Sequence, residues 1–302
     1  MSPPTKPLLK VGTCSWTDPT LLASGFYPPQ ADTAEKRLLF YASRFPVVEV
    51  DSTFYAPPSE SVAGLWAART PPEFTFDIKA YGLLTTHGSL TRSLPKAVRA
   101  LLPESIAAKS RVYLKDLPEN AQQLLWEMFT GALLPLDSAG KLGAVLFQFP
   151  PWFTPRRDNR DYILHCQERL GQYRMAVEFR NALWLLPERQ ERTLSFLREH
   201  GLAYVGVDEP QGFSSSVPPV AETTSPDLAI VRFHGRNAEA WEKKNVSVQE
   251  KFDYFYEESD LAEWTPRVLH LAEEAKEVHV LFNNCVGDKA VLNAQQMQDM
   301  LL

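Results

Sequence analysis

The chain has 302 residues, 44% of them hydrophobic, with a formal charge of −6, which is enough apolar material for one large α/β domain or two small ones. The acidic balance argues against general nucleic-acid binding, and no apolar run is long enough to span a bilayer. Three cysteines (Cys14, Cys166, Cys285) make no disulfide framework and MSPPTKP carries no secretory stretch, so the expected compartment is the cytoplasm.

In chain order, residues 1–7 read as a mobile, proline-bearing lead-in and 8–16 as a first strand. A helix over 33–45 starts from a cap at Asp32 or Thr33, whose side chains accept from free N–H groups. Strand 46–51, helix 60–69 and strand 73–79 follow. Residues 80–142 are long for one crossover and predict an elaborated loop and helix insert over the barrel mouth, with a helix at 119–134. The rest alternates: strands 143–149, 174–179, 202–207, 228–234 and 277–282, with helices 158–171, 187–200, 260–276 and 288–301. Only the Ser/Pro-rich stretch 210–225 reads as loop. Strands alternating with helices imply a parallel sheet, and eight such units predict a closed (β/α)₈ TIM-barrel-like fold as one domain over 1–302. No GxGxxG or GxxxxGK[ST] follows a strand, which disfavours the nucleotide-binding alternatives.

Barrel strands should turn apolar residues out under the helices, so their polar alternates face in. VEVDS at 48–52, AVEFR at 176–180 and IVRFH at 230–234 show this pattern most clearly. Applied throughout, it places Glu49, Asp51, Asp77, Lys79, Gln148, Glu178, Arg180, Asp208, Arg232, His234 and Asn283 inside. Strand one leaves two pairs open, Thr13 with Ser15 or Cys14 with Trp16. Most of these residues lie at strand C-terminal ends, where barrel enzymes carry their chemistry. Glu178 is the leading general acid or base, His234 a proton shuttle, and Lys79 an oxyanion stabiliser or Schiff-base amine if desolvated, with Asp51 beside them. Arg180 and Arg232 offer forked donors for carboxylate, phosphate or polyol oxygens. Glu49 reads first as an arginine counter-ion. Gln148, Asp208 and Asn283 suit hydroxyls, and Trp16 and Tyr55 suit sugar faces or bases.

The motifs GTCSW at 12–16, FYP at 26–28, VEVDSTFY at 48–55, FDIKA at 76–80, LFQFPP at 146–151, AVEFRN at 176–181, RFHGRN at 232–237 and FNNC at 282–285 resemble the DUF72 (YecE-like) family from about residue 10 to 299. The resemblance implies a TIM-barrel-like fold with no established activity and a distant likeness to the xylose-isomerase and endonuclease IV barrels. GTCSW departs from the GTSGW common in that family.

Six histidines, three of them on predicted helices away from the mouth, are too few for a multinuclear zinc centre. No metal or cofactor is expected, with one oxygen-ligated Mg²⁺ or Mn²⁺ among Glu49, Asp51, Glu178 and Asp208 as the alternative. A turn at 235–237 with Arg236 could face an anion. Cys14 and Cys285 become neighbours if the barrel closes, without CxxC spacing to make them a redox pair. The expectation is an enzyme of acid/base or hydrolytic type, acting on a small polar ligand such as a sugar, phosphate or nucleotide-like molecule. Nucleic-acid processing and a non-catalytic binding role are the alternatives, and the sequence sets no oligomeric state.

Overall fold

A computed structural model describes residues 7–302, so all of the predicted lead-in except Pro7 lies outside the described residues. Eight parallel strands close into a barrel: β1 (Leu8–Thr13), β2 (Val47–Val50), β3 (Thr75–Lys79), β4 (Leu142–Gln148), β5 (Met175–Glu178), β6 (Ala203–Asp208), β7 (Ala229–Phe233) and β8 (Glu277–Phe282). Each pairs with its sequence neighbours, and β1 pairs with β8 to close the ring. This is the expected TIM-barrel-like architecture. The outer layer holds α1 (Ala34–Ala42), α2 (Glu60–Ala68), α3 (Glu119–Ser138), α4 (Arg157–Leu170), α5 (Pro187–Glu199), α6 (Glu258–Glu274) and α7 (Lys289–Leu301). Local chemistry sets several starts: Thr33 accepts from Lys36 N–H at the head of α1, and Pro187 opens α5 where its missing N–H costs nothing. No helix among the described residues is long and apolar enough to cross a membrane.

No helix connects β6 to β7, in keeping with the loop expected at 210–225; residues 209–228 hold neither helix nor strand, and a Cβ on Gly206 would stand 2.8 Å from Val220 O of that loop. In the insert, the two-residue strands Ser89–Leu90 and Arg111–Val112 pair antiparallel with each other, and the His87 ring lies 4.9 Å from Phe54. Strand β6 faces the opposite way from expectation. Its Val207 is the register partner of inward Arg232, and its Asp208 that of outward Phe233.

The N-terminal floor of the barrel carries its own charge network. His279 Nδ1 lies 2.7 Å from Asp77, and its Nε2 lies 3.1 Å from Glu277, which also pairs with Lys10 and Arg174. Asp77 accepts from Ala144 N–H as well. Burial opposes charge on His279, but Asp77 and Glu277 overcome it and push its pKa up to about 9. A raised histidine pKa adds stability that is complete below the unfolded value near 6.5 and lost as pH rises through the folded value. Urea unfolding should therefore show stability falling by on the order of 3 kcal/mol between pH 6.5 and 9. His279→Gln should remove most of that slope, and an unchanged slope in the variant would assign the effect elsewhere.

Candidate functional site at the barrel mouth

Arg232, at the end of β7, is fully buried and organises the upper interior. Its Nε and Nη2 each donate to Glu49 at 2.8 Å, and its Nη1 donates to Glu178 at 2.5 Å and to Gln148 Oε1 at 3.4 Å. The other Glu178 oxygen accepts from His234 Nε2 at 3.1 Å and Arg180 Nη1 at 3.3 Å. The Asn283 amide donates to His234 Nδ1 at 3.0 Å, which leaves the ring hydrogen on Nε2, facing Glu178. Arg180 also meets Glu209 at 2.8 Å, and its guanidinium lies 4.8 Å from the Trp241 ring centre.

Electrostatics follows from this packing. Burial raises Glu178, but Arg232, His234 and Arg180 outweigh it and hold the carboxyl well below its ordinary range. Burial pushes His234 down to about 3, against the pull of Glu178. Burial raises Glu49, with Arg232 opposing, and lifts Glu209 to about 7 despite Arg180. Glu178 and His234 have no exposed surface and spend their polar atoms on one another and on their neighbours. The geometry pairs Glu178 with Arg232 and Arg180 and sets His234, neutral at neutral pH, between Glu178 and Asn283. Arg232 likewise has no fork left for a ligand, while Glu49 is the arginine counter-ion the sequence suggested.

Other expected ligand residues are also placed elsewhere. Asp208 turns outward and accepts from Arg236 (2.9 Å), Tyr256 (2.8 Å) and Trp264 of α6 (2.7 Å). It is a structural anchor, and Arg236, which also pairs with Asp260 and Glu263, is not available to an anion. Trp16 is buried against Trp66 and Phe76, so it offers no stacking face. The four carboxylates weighed for Mg²⁺ or Mn²⁺ do not converge: Asp208 points out, and Arg232 holds Glu49 and Glu178. Among the described residues no three His, Cys, Asp or Glu side chains group as metal ligands. On β1 it is Cys14 that faces in, 3.4 Å from Glu49; its thiol and that of Cys285 are free, and burial raises the pKa of both.

A cavity of about 190 Å³ opens above this layer, lined by Asp51, Lys79, Gln148 and Asn283 with Phe54 and Tyr55. Asp18, Gln249, Phe252 and Cys285 complete it. Tyr55 is 64% exposed at its rim. The Lys79 ammonium stands 5.1 Å from the Phe54 ring centre. Among the described residues it makes no ion pair within 4 Å, because Arg232 already holds Glu49 and Glu178. Burial and then Arg232 lower Lys79, whereas burial raises Asp51. A larger groove of about 640 Å³ lies off to the side between the insert and α4, lined by Tyr113, Trp152 and Tyr162. It holds none of the converging charges, so the smaller cavity is the chemically equipped one. Asp18, Phe54, Glu209, Gln249 and Phe252 went unread in the sequence. Glu209 alone had a signal there, since it continues the inward parity of β6 beyond Val207.

The family model described as "Protein of unknown function DUF72" matches residues 10–302. The chain is 32% identical over 297 residues to UPF0759 protein YunF of Bacillus subtilis (strain 168), covering 97% of this chain and 95% of that protein. Two crystal structures of DUF72 family proteins are similar throughout. The one from Thermotoga maritima MSB8 has a TM-score of 0.75 at 31% identity, covering 97% of this chain and 99% of its own. The one from Enterococcus faecalis V583 has a TM-score of 0.74 at 28% identity, covering 98% of each.

Proposed function

The chain belongs to the DUF72 family, and from that premise we propose that it is an enzyme doing acid/base chemistry on a small polar molecule held at the barrel mouth. One observation carries this reading: Lys79 and Asp51 share the mouth cavity, while the charges beneath them are locked to each other. Burial moves each of the two toward its uncharged form, the state in which an amine takes a proton and a carboxyl gives one. The remaining polar groups suit hydroxyls. Gln148 Oε1 accepts from Arg232, leaving its NH₂ as a donor, and the Asn283 NH₂ is taken by His234, leaving its oxygen as an acceptor. The cavity of about 190 Å³ suits a small metabolite.

Thermal-shift screening against sugars, sugar phosphates and hydroxy acids tests the reading. A ligand present at a hundred times its Kd should stabilise the protein by ~2.7 kcal/mol. Lys79→Met and Asp51→Asn should each keep the fold and weaken that ligand at least tenfold, removing ~1.4 kcal/mol of the stabilisation. Equal stabilisation of both variants would place the ligand elsewhere and end this reading.

A further inference from the structure

We propose that Lys79 is an imine-forming amine and that the molecules this mouth takes are small hydroxylated or carboxylated aldehydes and ketones. This rests on the mouth being a small-molecule site and names its substrate class. A lysine attacks a carbonyl only as the free amine, and ammonium groups lose their proton where they are desolvated and lie near another cation. Both conditions are built into the barrel. Lys79 rises from the C-terminal end of β3, lines the cavity, and sets its nitrogen 5.1 Å from the Phe54 ring centre. The carboxylates that would hold it as ammonium are occupied: both oxygens of Glu49 and one of Glu178 by Arg232, the second of Glu178 by His234 and Arg180. The Arg232 charge remains as its cationic neighbour. Asp51 shares the cavity with Lys79 as a proton carrier, with Asp18 as a second carboxyl on the same lining.

The chemistry balances without a further reagent. The Lys79 nitrogen lone pair forms a C–N bond to the carbonyl carbon as the C=O π pair moves to oxygen. A proton passes from nitrogen to that oxygen, giving a neutral carbinolamine. The nitrogen lone pair then closes C=N as the C–O bond breaks, and the oxygen leaves as water with the proton of the Asp51 carboxyl. Amine, carbonyl and carboxylic acid thus become iminium, carboxylate and water. The carboxylate left behind faces the new cation across the same cavity, and Gln148 and Asn283 are placed for the substrate's hydroxyl or carboxylate oxygens.

The test is borohydride trapping of the intact protein at neutral pH with dihydroxyacetone and, separately, pyruvate. Reduction of the imine adds the mass of the probe less one oxygen, located by peptide mapping. The expected result is a single adduct on Lys79, absent from Lys79→Met and slowed roughly a hundredfold in Asp51→Asn, the scale of one lost proton-transfer group. The wild-type peptide map locates the site without relying on either variant. Adducts spread over surface lysines with none on Lys79 would overturn the imine. If ligand stabilisation still depends on Lys79 and Asp51 in that case, the small-molecule site stands and only the imine falls. With neither adduct nor stabilisation, both fall.

Discussion

Replacing Arg232 with methionine should cost ~3–5 kcal/mol of stability, the usual penalty for stranding a buried charge partner. Methionine restores much of the shape, so the loss is electrostatic. Glu49 then faces the interior without either of its 2.8 Å donors, and Glu178 keeps only His234 and Arg180. Urea unfolding at neutral pH measures it. The deficit should shrink as pH falls toward the carboxyl range, because burial already raises Glu49 and losing Arg232 raises it further. The triple change Arg232→Met, Glu49→Gln, Glu178→Gln should recover most of the stability, since neutral amides need no counter-charge. A loss under ~1 kcal/mol in the single variant would mean water reaches these carboxylates and the layer is not sealed.

The second large effect belongs to Gly12, on the inner face of β1 opposite Val47 of β2. A Cβ there would lie 2.0 Å from Val47 O and 2.9 Å from its carbonyl carbon. Overpacked side chains cost ~1–3 kcal/mol when neighbours can rotate away, but a strand carbonyl cannot. Gly12→Ala should therefore lose at least ~3 kcal/mol or fail to accumulate as soluble protein. Gly64→Ala in α2 is the matched control, because the nearest atom to its Cβ is 4.0 Å away. That change should gain ~0.5–1 kcal/mol from helix propensity. A Gly12→Ala protein with the wild-type urea midpoint would show that β1 and β2 are not this close.

The barrel was legible because most strands alternate large apolar residues with charged ones, and parity then assigns both faces. Glu49, Lys79, Gln148, Glu178, Arg232 and Asn283 face inward as that rule reads them. Strand β6 broke the rule for a physical reason. Its inner positions are Ala203, Val205 and Val207, and its one charge, Asp208, is satisfied on the outside by a tryptophan, a tyrosine and an arginine. Asp208 meets polar partners on that outer side, so polarity does not mark the inside. Misreading that strand also hid Glu209, one residue further on. Chemical roles were harder to read than positions. Sequence shows that Glu178 and His234 are inside but not that each is fully bonded, because this depends on Arg232 and Asn283 arriving from other strands. The loop residues Asp18, Phe54 and Phe252 carry no periodicity that predicts their reach.

Asp208 fastens both ends of a segment that lines the mouth cavity. The segment that contributes Gln249 and Phe252 to the cavity leaves β7 at Arg236 and returns at Tyr256, and both residues are tied to this one carboxylate. The segment is thus a loop whose two ends are moored to the same post outside the barrel, so a break in that post would free both ends at once.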